Sequence, residues 1–205
     1  MPLFRRHVMV VVAIAMAVLA AGAPALADCG GARDFVRTAG ERAVAVLNAP
    51  GTTDAERVQG MSALLFEVAD LPLIARLVLG RNWNSASQAQ RAAYLDAFRI
   101  YALDSLAARF AKLDGGVRFT LLDRCIEVDD RDRLLATDVT MPSRPQPTRI
   151  DWRVRETEGS YRLIDVSIEG VSLVVSNRSE FDSVVQRQGL DALIAQIRGK
   201  NEPKG

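Results

Sequence analysis

The sequence predicts an α+β fold in which helices cover one face of a four-stranded antiparallel sheet. Three observations support it. Apolar residues recur at helical spacing from about residue 31 to residue 112. After Gly115 and Gly116 they alternate with polar residues at the strand period of two, and after Gly170 the helical spacing returns. At 205 residues the chain has the length of one domain with tails.

The first 27 residues are predicted to be a cleaved secretory signal peptide. Arg5 and Arg6 precede an apolar run over residues 8–21, and the small-x-small sequence Ala-Leu-Ala follows at 25–27. A membrane anchor is the alternative, but the apolar run is shorter than the roughly 20 residues that a span requires. We therefore expect an exported protein whose single domain occupies residues 28–198, with a flexible tail at 199–205.

Charge and histidine content argue against several functions. The chain has 26 basic and 25 acidic residues, so loss of Arg5 and Arg6 leaves the mature protein near neutral, without the basic excess that nucleic-acid binding requires. The only histidine, His7, lies in the predicted signal peptide. A Ser-His-Asp or Cys-His catalytic arrangement is therefore excluded, and a zinc site is improbable. We expect neither an enzyme nor a metal or cofactor site.

Two cysteines, Cys29 and Cys125, remain in the mature chain. An even number of cysteines in an oxidising compartment favours a disulfide, which would close a long loop. Two free thiols are the alternative, and no Cys-x-x-Cys motif suggests a redox centre.

Four helices are predicted before the sheet. The first spans Gly31 to Asn48, and the second starts from a Thr53-x-x-Glu56 capping box. The third is the short apolar segment Leu71 to Leu79, and the fourth runs from about Ser87 to Lys112. Inward positions of the first two are Phe35, Ala39, Ala43, Val46, Leu47, Val58, Met61, Leu64, Leu65 and Val68.

The connection between the third and fourth helices organises this half of the chain. Gly80 stands where a helix end needs a left-handed residue, and Ser87 with Gln90 forms a second capping box. The fourth helix is apolar on nearly all sides, so it must be covered on nearly all sides. Either it is the centre of an ordinary core, or one side lines a space that something else fills.

The sheet is predicted from four runs of alternating residues. The first carries Val117, Phe119, Leu121 and Cys125 on one face, with weaker alternation near Asp123. A turn over 129–133 is expected to be a solvated hairpin tip, the second strand covers 134–141, and a proline-rich connection covers 142–147. A third strand over 150–155 and a fourth over 161–168 are joined by a turn at Glu158 and Gly159.

Two closing helices are predicted after the sheet, over 171–188 and 190–198. Their inward residues are Phe181, Val184, Val185, Leu193, Ile194 and Ile197.

Three segments together resemble a known family. The first is VLGxxWxxASxxQRxxYxxAF over 78–98, and the second is PxRIDW over 147–152. The third is YRLIDVxIEGVSL over 161–173, continuing to RSEF at 178–181. With these motifs the chain resembles the MlaC-type, toluene-tolerance family of periplasmic phospholipid carriers.

The resemblance implies a deep apolar cavity between a highly twisted four-stranded sheet and its helices. It implies a monomeric carrier with phospholipid as cargo and no other cofactor. Its partners would be an outer-membrane lipoprotein–porin complex and an inner-membrane ABC transporter with an MCE-type substrate-binding subunit, and its role the maintenance of outer-membrane lipid asymmetry. A hopanoid-associated branch of the same family and a non-transporting periplasmic interaction module are the alternatives.

Twelve residues are predicted to contribute to the cavity wall, because they lie on helix and sheet faces that must meet. Each of them alone could equally pack in an ordinary core. They are Leu77, Val78, Trp83, Phe98, Tyr101, Phe110, Trp152, Val154, Val166, Ile168, Val171 and Leu173.

Overall fold

The computed structural model describes residues 29–110 and 115–199. The predicted signal peptide, the end of the long helix predicted at Lys112 and the tail from residue 200 onward lie outside these residues. In chain order the elements are α1 Gly30–Leu47, α2 Asp54–Val68, α3 Leu71–Leu79, α4 Asn82–Ser85, α5 Gln88–Phe110, β1 Arg118–Glu127, β2 Asp132–Met141, β3 Arg144–Thr157, β4 Ser160–Ile168, β5 Val171–Ser172, α6 Leu173–Gln188 and α7 Leu190–Gly199. The predicted order of helices, sheet and helices is confirmed.

Both predicted capping boxes are present. The Glu56 amide donates to the Thr53 hydroxyl at 3.2 Å, and the Thr53 amide donates to the Glu56 carboxylate at 2.7 Å. The second bond stabilises the ionised carboxylate and lowers the pKa of Glu56. The Gln90 amide donates to the Ser87 hydroxyl at 3.2 Å, and the Ser87 amide donates to the Gln90 side chain at 3.1 Å. Gly80 has the expected positive φ, of 58°.

The sheet has five strands in the order β1-β2-β3-β4-β5, each antiparallel to its neighbour. The fifth strand is the short segment at Val171 and Ser172, which was predicted to begin a helix. Val171 pairs with Ile168 across the turn at Glu169 and Gly170, and α6 begins only at Leu173. The weak alternation near Asp123 corresponds to an irregularity in β1 between Leu121 and Cys125.

The prediction of a proline-rich connection over 142–147 was wrong, because β3 already begins at Arg144. Only Pro142 and Ser143 lie between the strands. Arg144 pairs with Met141 and Thr148 pairs with Val139, and the register shifts between these two positions. Prolines cannot donate to a regular ladder but are tolerated where it is irregular, which explains Pro145 and Pro147 inside a strand.

The prediction of a solvated hairpin tip over 129–133 was wrong for Asp132 and Arg133. The Asp132 side chain is fully buried, and Arg133 is buried as well. Arg153 donates to its Oδ2 through Nε at 2.9 Å and Nη2 at 2.6 Å. Arg155 donates through Nε to Oδ1 at 2.6 Å and through Nη2 to Oδ2 at 2.9 Å. Asp132 is in register with Arg155, so the guanidinium groups that enclose it come from the neighbouring strand.

The core is divided between the sheet and the helices. On the sheet side, Ala32 and Val36 of α1 pack on Leu135, Val154 and Leu163, and we call this group the sheet cluster. A second group, which we call the helical cluster, joins α3, α5, α6 and α7. Its buried members are Ala75, Val78, Leu79, Tyr94, Ala97, Phe98, Val174, Phe181, Val184, Leu193, Ile194 and Ile197. Ile74 of α3 packs against both clusters, so α3 is shared by the sheet side and the helical side.

The disulfide between Cys29 and Cys125 is present, as predicted. It joins the residue before α1 to the irregular part of β1. Arg33, in the first turn of α1, donates to the Leu122 carbonyl at 3.3 Å and to the Asp123 carboxylate at 2.9 Å. The N-terminal end of α1 is therefore attached to β1 by a covalent bond and by hydrogen bonds.

Replacing Gly40 with alanine is expected to lower the free energy of unfolding by about 1–3 kcal/mol, the usual range for overpacking. An added Cβ would overlap the aromatic ring of Phe119, so α1 and β1 would have to separate. Helix propensity alone would favour alanine by about 1 kcal/mol. Urea denaturation measures the change, with Thr38→Ala on the exposed face of α1 as control. A stabilised Gly40→Ala variant would contradict this account of the contact.

Candidate functional site

A cleft of about 310 Å³ lies where the sheet side and the helical side of the molecule meet. One wall comes from the end of α2 and the start of α3, and the other from the middle of α5. Apolar side chains form most of both walls, and the two charged residues both belong to α5. The lining residues are Phe66, Ala69, Leu71, Pro72, Leu95, Asp96, Phe98 and Arg99.

The first wall is held against the sheet by the segment between α2 and α3. Ala69 forms an isolated bridge with Leu163 of β4, and the Asp70 amide donates to the Leu163 carbonyl at 3.0 Å. The Asp70 carboxylate in turn accepts from the Leu73 amide at 3.0 Å and caps α3. Asp70 thus attaches this wall to the sheet through its amide and begins α3 through its side chain.

The second wall is held by aromatic residues of α5. The Tyr94 side chain is fully buried, and its hydroxyl donates to the Ala75 carbonyl of α3 at 3.0 Å. Burial raises the pKa of Tyr94 well above its ordinary value, so the hydroxyl remains a neutral donor. The Tyr101 hydroxyl donates to Asn177 Oδ1 at 2.8 Å. These two bonds attach α5 to α3 and to α6.

Phe98 forms the floor of the cleft and belongs to an aromatic cluster behind it. Its ring centroid lies 5.8 Å from that of Tyr94, 6.0 Å from that of Tyr101 and 6.5 Å from that of Phe181. Such tilted and edge-on ring pairs stabilise a core beyond the area they bury. The floor is therefore an apolar surface backed by a packed aromatic cluster.

The mouth of the cleft carries opposite charges. Asp96 and Arg99 are exposed and lie one turn apart on α5. The guanidinium carbon of Arg99 lies 4.6 Å from the ring centroid of Phe66, close enough for a cation–π contact across the cleft. The expectation that α5 is covered on nearly all sides was wrong at Arg99 and Ile100, which are both exposed.

The cleft has the composition of a binding site for an apolar group. It offers apolar walls, one carboxylate and one guanidinium, and no nucleophile with an adjacent base. Across residues 29–110 and 115–199 no cluster of three potential metal ligands occurs. No helix in that part of the chain combines the length and apolarity needed to cross a membrane.

The twelve residues predicted to line a cavity fall into separate groups. Leu77, Val78, Trp83, Phe98 and Tyr101 belong to the helical cluster, and of these Phe98 lines the cleft. The guanidinium carbons of Arg76 and Arg91 each lie 5.4 Å from the ring centroid of Trp83.

The members of that set on the sheet lie on the sheet face that α1 covers. Trp152, Val154 and Val166 pack in the sheet cluster, and the Trp152 indole donates to the Thr137 hydroxyl at 2.9 Å. Ile168 is half-buried at the end of β4.

The last members of the set lie near the helix ends. Val171 is 59% exposed on β5, and Leu173 is half-buried at the start of α6. Phe110 is the final residue of α5, and its side chain lies outside the described part of the chain. Ligand contact by any of the twelve stays a prediction.

Sequence reasoning missed most of the cleft lining. Leu95 belongs to the long helix predicted to be apolar on nearly all sides, and Leu71 begins the predicted short helix, but neither was among the predicted wall residues. Phe66 lies off the inward stripe of α2 defined by Met61 and Leu64. A large aromatic residue outside an otherwise regular stripe was the available signal for it.

Comparison with known proteins identifies the family of this chain. A solved phospholipid-binding protein from Ralstonia solanacearum, determined in complex with a phospholipid, superposes with a TM-score of 0.68 at 21% sequence identity; the match covers 81% of this chain and 98% of that one. At this identity the likeness establishes the fold, including its α+β class. The sequence profile of the MlaC protein family matches residues 37–199, most of the chain. This chain therefore belongs to the MlaC family.

Proposed function

We propose that this protein is a periplasmic phospholipid carrier. It holds lipid acyl chains between its helical layer and its sheet, and shuttles lipid between an outer-membrane lipoprotein–porin complex and an inner-membrane ABC transporter with an MCE-type subunit. This traffic would maintain the lipid asymmetry of the outer membrane. Membership of the MlaC family and the phospholipid bound to the Ralstonia protein support the proposal.

The observation that carries the proposal is the apolar cleft at the junction of two separate cores. Each methylene of an acyl chain costs roughly 0.8 kcal/mol to expose to water, so a carrier must cover the chains with apolar surface. The cleft provides such surface from Leu71, Leu95 and Phe98. Its opening to the surface leaves the polar headgroup in water.

The volume of the cleft implies movement during loading. About 310 Å³ is at the lower end of the roughly 300–1,000 Å³ range of small-molecule pockets, whereas a diacyl phospholipid is larger than most such ligands. We propose that the junction widens as acyl chains enter. Asp70 holds the start of α3 on β4, so widening would require α5 to move away from the wall formed by α2 and α3. Widening would expose predicted wall residues such as Trp152 and Val166 to the cargo.

The proposed compartment agrees with the cysteine chemistry. Disulfides persist in oxidising compartments such as the periplasm, and Cys29 and Cys125 are bonded. The predicted signal peptide would deliver the chain there. We propose a monomer without catalytic activity, resident cofactor or nucleic-acid partner.

Native mass spectrometry of the mature protein, followed by lipid extraction, tests the proposal. We expect one phospholipid per chain after purification or after incubation with vesicles. A polycyclic lipid such as a hopanoid would instead assign the chain to the hopanoid-associated branch. A lipid-free mass that persists after incubation with vesicles would contradict the carrier function and favour an interaction module with a filled core.

Placing a charge inside the cleft should block loading. We expect Leu95→Arg to reduce bound phospholipid at least about tenfold, because a guanidinium among Phe98 and Leu71 would have to be desolvated beside the acyl chains. Lipid per chain is measured by native mass spectrometry, with folding checked by circular dichroism.

Leu190→Arg is the matched control for this variant. Leu190 is also a half-buried leucine packed against the helical cluster, but it lies on α7 and does not line the cleft. Equal lipid content in the two folded variants would show that the cleft is not the entry site.

A further inference from the structure

The mouth of the cleft presents one acid and one base to whatever occupies it. Asp96 and Arg99 both line the cleft, are both exposed, and lie three residues apart on α5. Side chains at this spacing on a helix are neighbours, with Cβ atoms about 5–6 Å apart. Among the residues that the structure describes, they are the only charged ones in the lining, so they determine the electrostatic character of the opening there.

The two charges do not neutralise each other. In the part of the chain that the structure describes, Asp96 and Arg99 take part in no ion pair. The spacing is compatible with pairing, since Asp34 and Arg37 of α1 form an ion pair of 2.6 Å with the same offset. Arg99 instead lies over the ring of Phe66 across the cleft, 4.6 Å from its centroid. This contact holds the guanidinium at the mouth and leaves its hydrogen-bond donors for another partner.

We propose that Asp96 and Arg99 select a phospholipid whose headgroup carries both a phosphate and an ammonium group, as in phosphatidylethanolamine. The proposal rests on the carrier function proposed above. With acyl chains against Leu95 and Phe98, the headgroup emerges beside this pair. The Arg99 guanidinium presents paired donors to the phosphate, and the Asp96 carboxylate accepts hydrogen bonds from the ammonium group.

Charge complementarity distinguishes this headgroup from an anionic one. The phosphate and ammonium of phosphatidylethanolamine are separated by two carbons, so they can face two side chains one helical turn apart. Phosphatidylglycerol also offers a phosphate to Arg99, but it has no positive group for Asp96. The phosphatidylglycerol headgroup has a net negative charge, and placing it near the Asp96 carboxylate brings like charges together, which is unfavourable. The carrier should therefore favour the zwitterionic lipid.

A competition experiment tests this selection. The purified protein is incubated with vesicles containing equal amounts of phosphatidylethanolamine and phosphatidylglycerol with identical acyl chains, and bound lipids are counted by native mass spectrometry. We expect the wild-type protein to load phosphatidylethanolamine in about threefold excess, a size typical of exposed ion pairs. Asp96→Asn should reduce this ratio to about one, and Arg99→Gln should reduce loading of both lipids.

Asp34→Asn and Arg37→Gln are the matched controls, because they change the same charges at the same spacing on α1, away from the cleft. They should leave both the ratio and the total load at wild-type values. Lipid loading at a ratio of one in the wild-type protein, or an unchanged ratio in Asp96→Asn, would overturn the headgroup selection while the carrier function stands. A wild-type protein that loads neither lipid would overturn both.

Discussion

Replacing Asp132 with alanine is expected to lower the free energy of unfolding by about 3 kcal/mol. The Asp132 carboxylate is fully buried and accepts four hydrogen bonds from Arg153 and Arg155. Removing one partner of a buried ion pair costs about 3–5 kcal/mol, because the remaining charge is left without compensation. The lower end applies here, since the side chains of Arg153 and Arg155 are 37% and 19% exposed and can be partly rehydrated.

The effect should depend on pH with a defined sign. Burial alone would raise the pKa of Asp132, but hydrogen bonds from Arg155 and Arg153 outweigh it and lower the pKa below its ordinary value. A lowered folded pKa contributes stability that is fully present above the unfolded value of about 3.9 and is lost as the pH falls through the folded value. Urea titrations at neutral pH and below pH 4 should therefore show that the difference in free energy of unfolding between the wild-type protein and Asp132→Ala becomes smaller in acid.

Asp138→Ala is the control for the Asp132 variant. Asp138 lies on the same strand and accepts from Arg149 at 2.8 Å, but its side chain is 28% exposed and that of Arg149 is 39% exposed, so water reaches both partners. Exposed ion pairs contribute about 0–1 kcal/mol, so this variant should be nearly neutral. Equal losses in the two variants would refute the assignment of a special role to the buried carboxylate.

Removing the disulfide is expected to lower the free energy of unfolding by about 2–4 kcal/mol. Cys29 and Cys125 are separated by 96 residues, so their bond restricts a large part of the unfolded chain. It also holds the start of α1 on β1, where Ala32 and Val36 cover the sheet. Urea denaturation of the Cys29→Ser/Cys125→Ser variant measures the loss.

Reduction of the wild-type protein gives the same comparison without substitution. The double-serine variant should unfold at the same urea concentration with and without reductant, and the reduced wild-type protein should approach that value. If reduction left the wild-type midpoint unchanged, the bond would contribute nothing to stability beyond the hydrogen bonds of Arg33 to β1.

These two features bear on how the cleft could open in the proposed carrier function. The disulfide and Arg33 hold α1 on the sheet, and Asp132 joins β2 to β3. On the opposite side of the cleft, α5 is held by the packing of Tyr94 and Phe98 against α3, α6 and α7 and by the tyrosine hydrogen bonds to α3 and α6. The start of α3 is itself bonded to β4 through Asp70, and the start of α6 is bonded to Asp165 of β4. We therefore expect α5 to be the wall that moves in the proposed lipid loading.

The sequence by itself determined the features that depend on neighbouring residues. Helix starts at Thr53 and Ser87 follow from capping boxes whose partners are three residues apart, and the end of α3 follows from Gly80. The alternation of polar and apolar residues revealed the strands, because the side chains of a strand alternate between its two faces. The family was evident as well, since its motifs are contiguous segments.

Only the tertiary structure decided which distant residues meet. The two arginines around Asp132 come from β3, and the register that aligns Asp132 with Arg155 depends on the whole hairpin. The residues that line the cleft come from α2, α3 and α5, whose faces meet at an angle that no local pattern specifies. Phe66 lies off the inward stripe of α2, and only the position of α5 relative to α2 makes it part of the cleft wall. Spacing along a chain specifies which face a residue occupies, whereas the packing of several elements decides what that face contacts.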